Sequence, residues 1–300
     1  MTDILCIGSV LWDVIGRCPD PMRHGFDRAG HISRHPGGVA YNIAKALSNL
    51  NLSPALITSL GQDTEGDELI QSCDRDGMRT DLIYRNPHAR TDVYMAIEDV
   101  NGVVAAIADA HWLEQAGSNI LHPLCDGTAG SSAAPFSGIA ILDGNLTETL
   151  LRQISTMPEF SVCDLRVVPA SPGKAQRLNC FLHSGNAAFY VNRIEAEIIC
   201  NARFPSSTDA ANALIELGAA RAIVTDGPDP VADALQNGET LTASVPLVRT
   251  LAQVTGAGDV FVAAHIHAEM NGHSRADALL AGGAGRRRSC CRKIRCIHLI

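Results

Sequence analysis

Residues 254–261 read Val-Thr-Gly-Ala-Gly-Asp-Val-Phe, and small residues continue after them at helical spacing. Gly256 and Gly258 let the backbone approach an anion closely, and the free N–H groups at the start of a helix favour negative charge. Asp259 stands where a carboxylate can take a proton from a hydroxyl while those N–H groups hold a phosphoryl group. A capped helix after a tight loop would show the same short pattern, so its interpretation depends on the rest of the chain.

Strand and helix patterns alternate through most of that remaining chain. Short apolar, β-branched runs predict buried strands, and apolar residues recurring every three or four positions predict helices. The predicted strands are 4–8, 55–58, 139–142, 189–191 and 222–225, and the predicted helices are 38–50, 63–73, 147–154, 193–200 and 210–217. Such alternation implies parallel strands joined by right-handed crossovers. We therefore expect an α/β fold with a doubly wound, mostly parallel sheet flanked by helices and with ligands at its carboxyl edge.

Two passages interrupt the alternation. Residues 17–36 are rich in proline, glycine and charged residues, and weak strand patterns occur at 14–15 and 31–32. In residues 91–108, apolar and other residues alternate on either side of Asn101-Gly102, a favoured hairpin turn. We expect strands from about 12–36 and 91–108 to leave the main sheet and form a small β lid. The chain 1–300 is otherwise expected to be a single domain.

Composition narrows the class of protein. A chain of 300 residues that is 46% hydrophobic can bury a full core. The first residues lack the pattern of a signal peptide and no long apolar run occurs, so we expect a cytoplasmic protein with no membrane partner. A net charge of -8 argues against a nucleic-acid partner. The ten cysteines are expected to be reduced thiols, and the three at 290, 291 and 296 lack the paired spacing of a zinc site.

Two long motifs in the correct order make the sequence resemble the PfkB carbohydrate-kinase family of ribokinase-like enzymes, from residue 4 to about residue 285. The first motif is Gly-Gly-Val-Ala-Tyr-Asn-Ile-Ala-Lys-Ala-Leu at 37–47, which continues into 61–66, and the second is the turn at 255–259. The resemblance implies transfer of phosphate from ATP, with Mg²⁺, to a hydroxyl of a small sugar or nucleoside. It also allows a monovalent cation and a homodimer formed through the lid.

The resemblance assigns Asp259 as the catalytic base, with the amides of Gly256, Ala257 and Gly258 as its anion hole. The cradle for sugar hydroxyls is expected at Asp13, Gly37, Gly38 and Asn42. A carboxylate and an amide supply fixed acceptors and donors there, and glycine lets a ligand lie against the backbone. Weaker assignments to ribose or base are Thr91, Asp109 and Asn145, for which ordinary hairpin and strand-end positions are an equally good interpretation.

On the nucleotide side, the residues expected to bind ATP are Asn192, Thr225, Gly227 and Thr255. Glu195 is expected to hold magnesium through water, because Mg²⁺ usually keeps several waters. The spacing from Asn192 to Glu195 also fits a capping box, and both interpretations can hold together. Asp226 and Pro230 depart from the family's Gly-x-x-Gly pattern at this point.

Within the family, the wording of 37–44, 192–197 and 254–259 is most similar to pseudouridine kinases, which implies the 5'-hydroxyl of pseudouridine as acceptor. A ribokinase or another sugar kinase is the near alternative, and a catalytically impaired sugar- or nucleoside-binding protein is the second. A Rossmann oxidoreductase is a distant third, because no Gly-x-Gly-x-x-Gly follows the first strand.

The sequence departs from the family near its end. Residues 286–293 read Arg-Arg-Arg-Ser-Cys-Cys-Arg-Lys where the family continues with an alanine-rich helix beside the adenine. Gln253 also stands where many members have aspartate. The abrupt change suggests a shifted reading frame near Gly285, which would alter one wall of the ATP site and leave activity weak or absent.

Overall fold

The computed structural model describes residues 3–182, 184–244 and 256–291, without the side chains of 286–291. In chain order its strands are β1 (Ile4–Ile7), β2 (Leu11–Arg17), β3 (His31–Gly37), β4 (Ala55–Ile57), β5 (Ser59–Gly61), β6 (Tyr84–Asn86), β7 (Val93–Asp99), β8 (Gly102–Asp109), β9 (Ile139–Asp143), β10 (Asp164–Val168), β11 (Ala187–Asn192), β12 (Arg221–Asp226), β13 (Asp229–Leu235) and β14 (Leu241–Ala243).

The α-helices in the described ranges are α1 (Val39–Ser48), α2 (Thr64–Arg75), α3 (Trp112–Ala116), α4 (His122–Cys125), α5 (Glu148–Ile154), α6 (Arg193–Cys200), α7 (Ser207–Glu216), α8 (Ala257–Met270) and α9 (Arg275–Cys291). Short 3₁₀ segments span Gly117–Leu121, Pro158–Phe160 and Pro172–Phe181. None of these helices combines the length and the apolar character needed to cross a membrane.

The main sheet has eight strands in the order β14-β13-β12-β11-β10-β9-β1-β4. The strands from β12 to β4 run parallel, and β13 and β14 extend the sheet in antiparallel fashion. Parallel neighbours need crossover connections, which helices supply here. This confirms the expected α/β class with a mostly parallel sheet flanked by helices.

Helices bury both faces of the main sheet. Successive residues of a strand point to opposite faces, so Leu5 belongs to one core cluster and Cys6 to the other. The first cluster includes residues of α5, α6 and α7, and the second includes residues of α1, α2, α8 and α9. Because the central strands are covered on both sides, β1 and β4 are apolar and buried along their whole length.

A second sheet has four strands in the order β3-β2-β7-β8. Its strands come from the two passages that interrupt the α/β alternation, and β7 and β8 form the hairpin predicted around Asn101-Gly102. β2 pairs with β7 in parallel and with β3 in antiparallel fashion. β3 runs directly into α1, so this sheet meets the main sheet beside the first turn of that helix.

Candidate active site

A cavity of about 840 Å³ lies between the carboxyl ends of the main strands and one face of the second sheet. This is where a doubly wound sheet places its ligands. The residues of the sequence prediction that line it are Asp13, Gly38, Asn42, Asn145, Asn192, Glu195, Thr225, Gly256, Gly258 and Asp259. Two distant motifs of the chain therefore meet in one cavity.

The first turn of α8 forms one wall of this cavity. Gly256 is its N-cap residue and has φ 81°, a left-handed conformation that favours glycine. The N–H groups of the following turn have no partner within the helix. They lie at the positive end of the helix dipole, where an anion is stabilised.

Asp259 projects from that turn and is held by α1. The Asn42 Nδ2 donates a hydrogen bond to its Oδ2 at 3.0 Å. Burial raises the pKa of Asp259 to about 7, and the nearby charges of Asp143 and Glu195 act in the same direction, whereas the Asn42 hydrogen bond opposes them. A carboxyl group that titrates near neutral pH is suited to general-base chemistry.

The Asp13 carboxylate, on β2, lies at the same N-terminal end of α1, against Gly37. A Cβ atom at Gly37 would overlap this carboxylate, and a Cβ atom at Gly38 would overlap the backbone of Ser9. Gly38 also has φ 97°, so both positions require glycine for close packing. Burial raises the pKa of Asp13 to about 6. The cradle expected for sugar hydroxyls is thus a tightly packed corner with a carboxylate in it.

Asp143 was not among the predicted site residues, although it fixes this corner. Its fully buried carboxylate accepts N–H hydrogen bonds from Ser9 at 2.8 Å, Ala40 at 3.1 Å and Asn145 at 2.7 Å. Burial raises the pKa of Asp143, whereas these three hydrogen bonds lower it. The sequence signal was an acid at the carboxyl end of an apolar strand, β9.

Lys174 is a second residue that the sequence analysis missed. It lies in the 3₁₀ segment after β10 and lines the cavity, and its Nζ donates to the Asn145 Oδ1 at 2.7 Å. A short 3₁₀ turn has no apolar periodicity, which is why no pattern pointed to it. The lysine brings a positive charge to a cavity wall that is otherwise rich in carboxylates.

Among the residues expected to bind nucleotide, Asn192 caps α6. Its side chain accepts the Glu195 N–H, while the Glu195 Oε2 accepts the Asn192 N–H at 2.8 Å, which makes a complete capping box. Burial raises the pKa of Glu195 to about 7. Thr225 lines the cavity at the end of β12, and Gly227, with φ 51°, lies in the turn to β13.

Glu195 and Asp259 both line the cavity. A nearby cation would stabilise each carboxylate in its charged form. Oxygen donors of this kind are the ligands that Mg²⁺ prefers. The residues present therefore fit a divalent cation, although no group of three or more potential metal ligands clusters within the described ranges.

Five predicted residues within the described ranges are absent from the cavity lining: Gly37, Thr91, Asp109, Gly227 and Ala257. Thr91 is buried and hydrogen-bonded to Asp63, with Oγ1 donating to Oδ1 at 2.6 Å and the backbone N–H to Oδ2 at 2.8 Å. Asp63 in turn caps α2, so Thr91 anchors a helix start. Asp109 is exposed at the end of β8 and pairs with His111 at 3.2 Å. Thr255 and Gln253 lie outside the described residues.

Comparison with known proteins gives the same picture of the fold. A model described as pfkB family carbohydrate kinase matches residues 1–285. The uncharacterized sugar kinase YeiI of Escherichia coli (strain K12) is 26% identical over 277 residues, which cover 91% of this chain and 74% of that protein. A pseudouridine kinase of Arabidopsis thaliana is 25% identical over 182 residues, or 57% of this chain and 44% of that one.

Among solved structures, the ribokinase of Arabidopsis thaliana complexed with ribose and ATP superposes with a TM-score of 0.75. The superposition covers 97% of this chain and 93% of that chain, at 17% sequence identity. At this sequence identity the structural similarity shows the fold alone, and that fold is ribokinase-like.

Proposed function

We propose that this chain, which belongs to the pfkB family of carbohydrate kinases, phosphorylates the 5'-hydroxyl of pseudouridine. Sugar-kinase activity of the pfkB type follows from that membership, and kinases of the family use ATP with a divalent cation. The choice of pseudouridine as the acceptor is supported by the amino-acid sequence of the motif at 37–44 and by the similarity to the Arabidopsis enzyme.

Asp259 acts as the base in this proposal. Its carboxylate accepts the proton of the acceptor hydroxyl as that oxygen forms a bond to the γ-phosphorus of ATP and the bond from γ-phosphorus to ADP breaks. The Asn42 amide holds the carboxylate in place at 3.0 Å. The backbone N–H groups at Gly256, Ala257 and Gly258 donate hydrogen bonds to the phosphoryl oxygens as charge develops on them.

The remaining residues hold the two substrates. Asp13, packed against Gly37, accepts hydrogen bonds from sugar hydroxyls, and Asn145 donates to the same ligand. Glu195 would hold a divalent cation through water, and when bound this cation offsets phosphate charge. Asn192 positions Glu195 through the capping box.

One observation carries the proposal: a carboxylate with a pKa near neutrality stands at a helix N-terminus, fixed by a residue of the other family motif. A purely structural helix cap does not need a deeply buried carboxyl group, because burying an ionisable group away from a cation is costly. A general base benefits from such burial, because a pKa near the working pH suits proton transfer.

The test is ADP release with ATP, Mg²⁺ and each of pseudouridine, uridine, ribose and fructose. We expect pseudouridine to give the highest kcat/KM, and Asp259→Asn to lower kcat by roughly 10²- to 10⁴-fold with the fold unchanged. A variant that keeps full activity would refute the role of Asp259. A different preferred acceptor would refute pseudouridine as substrate while leaving the kinase activity in place.

A second candidate is a protein that binds the acceptor without efficient turnover. The observation in its favour is that the family match stops at residue 285, where the basic and cysteine-rich segment begins. Calorimetric binding of pseudouridine without ADP release would support this candidate. Sequencing the gene across this point tests the proposed frame shift, which predicts an alanine-rich continuation in another frame.

A further inference from the structure

One face of the second sheet lines the cavity well beyond Asp13. On β2, Asp13, Ile15 and Arg17 all reach the cavity, because alternate residues of a strand share a face. β7 runs beside β2 and places Tyr94 opposite Asp13 and Glu98 opposite Arg17, and both β7 residues also line the cavity. We call these five residues the cavity stripe.

The cavity stripe leads away from the catalytic end. Asp259 is fixed by Asn42 on α1, and Asp13 lies against Gly37 just before α1 begins. From Asp13 to Arg17 the strand rises about 13 Å. A single sugar ring is much shorter than this distance. A sugar that is held between Asp259 and Asp13 therefore leaves the outer part of the stripe for another group of the acceptor.

The outer end of the stripe carries both a donor and an acceptor. The Arg17 Nε donates to the Glu98 Oε2 at 2.7 Å, and the two side chains are 45% and 27% exposed. A guanidinium has five N–H donors and a carboxylate has two acceptor oxygens, so the pair keeps capacity for a ligand. Between this pair and Asp13 lies the apolar side chain of Ile15, and Tyr94 stands beside Asp13 on β7.

This composition suits a planar, uncharged ring that carries an N–H next to a carbonyl. The pair has no net charge, so it offers little attraction to a phosphate or a carboxylate. An apolar surface with an aromatic side chain favours the flat faces of a ring. The base of pseudouridine is such a ring, and its carbon–carbon glycosidic bond leaves both ring N–H groups available beside carbonyls.

We propose that Glu98 and Arg17 select an acceptor that bears a pyrimidine base on its sugar. Glu98 accepts a hydrogen bond from a ring N–H, and Arg17 donates to the neighbouring carbonyl. This inference rests on the proposed kinase function and adds the residues that determine its specificity. The competing explanation is that Arg17 and Glu98 form a purely structural ion pair on the second sheet, although partly exposed pairs contribute little to stability.

The two explanations differ in which substrates a mutation affects. Glu98→Ala is compared with Glu68→Ala, whose carboxylate pairs at 2.8 Å with Arg34 of β3 on the same sheet and is not part of the cavity lining. For each protein, kcat/KM is measured by ADP release with pseudouridine, uridine and ribose. We expect Glu98→Ala to lower kcat/KM roughly tenfold or more with the two nucleosides and to change it little with ribose. Glu68→Ala should match the wild type with all three.

Each other outcome has a definite meaning. An equal loss with ribose and nucleosides would overturn the selectivity and leave the kinase function standing, as would a wild type that accepts ribose alone. If no acceptor is turned over, the proposed function fails. Calorimetry with pseudouridine then tests whether the cavity stripe binds the base: binding that is weakened by Glu98→Ala but not by Glu68→Ala supports this role. Absence of binding overturns both.

Discussion

Asp259 is a residue whose ionisation is displaced toward neutral pH. Burial raises its pKa to about 7, and the neighbouring charges of Asp143 and Glu195 add to the effect. In the proposed mechanism Asp259 is the general base, which works only when deprotonated, so this single carboxyl group would link activity to pH. The Asn42 hydrogen bond limits the shift, because it favours the charged form.

We predict that kcat/KM rises with pH and levels off above the pKa of about 7 of Asp259. The base is mostly protonated below that pH and mostly deprotonated above it. The measurement is a pH profile of ADP release at saturating ATP. A profile that is flat from about pH 5 to about pH 8 would contradict the role of Asp259.

Stability provides the control for this prediction. The folded state binds the Asp259 proton more tightly than the unfolded state does, so the contribution to stability is present at low pH and is lost as pH rises through the folded pKa of about 7. Asp259→Asn lacks this titration. The Tm of the wild type relative to the variant should therefore fall between about pH 5 and about pH 8.

At the scale of elements, local signals predicted most helices and the β7–β8 hairpin. α1 and α2 have clear apolar periodicity, and Asn101-Gly102 sets the hairpin turn. The sequence did not predict β13 because Pro230 is its second residue and the fully buried Asp233 interrupts its apolar pattern. The register of β2 with β7 joins segments about eighty residues apart, and no local pattern encodes such a pairing.

The candidate site divides in the same way. Asp259 and Asn42 belong to continuous motifs and could be found from the sequence. Asp143 and Lys174 act through contacts with residues far away in the sequence, so only the fold brings them into place. Thr91 carried a plausible polar side chain but is oriented toward Asp63, which sequence spacing alone does not determine.

The outer face of the second sheet, turned away from the cavity, carries exposed apolar side chains. Ile32 on β3 is 75% exposed and Ile107 on β8 is 62% exposed, and Met95 and Ile97 lie on β7, with Met95 opposite Ile107. Contiguous exposed apolar side chains mark interaction surfaces. The family resemblance allows a homodimer through these strands, and this face is the part of the sheet suited to it.

We predict that the protein self-associates through this face and that Ile107→Lys makes it monomeric, because a buried unpaired charge is strongly unfavourable. Sedimentation velocity over a range of protein concentrations gives the mass of both proteins. Leu280→Lys, at a 50% exposed residue on α9, is the matched control and should leave the mass unchanged. A wild type that stays monomeric at every concentration would refute the prediction.

At the scale of the whole molecule, a buried network of charges joins the main sheet to α8 and α9. Asp233 on β13 is fully buried and forms ion pairs with Arg221 at 2.7 Å and Arg275 at 3.1 Å. Arg221 also pairs with Glu269 of α8, and Tyr190 bonds to His265 of that helix at 2.9 Å. Charges inside a core are tolerated only when paired, so each member depends on the others.

We predict that Asp233→Ala lowers the free energy of unfolding by about 3–5 kcal/mol, since two arginines lose their buried partner. Urea denaturation measures the change. The control is Glu148→Ala, which removes an exposed pair with Arg152 and should cost about 1 kcal/mol or less. Similar losses for the two variants would show that the network contributes no more than a surface pair.

The hydrogen bond from Asn42 to Asp259 spans 217 positions of the chain. During synthesis the amide emerges from the ribosome long before the carboxylate, and the base reaches its working position only after the last part of the chain has docked onto the first. In the proposed mechanism, phosphoryl transfer therefore requires the chain to be made through α8, long after the residues of the expected sugar cradle.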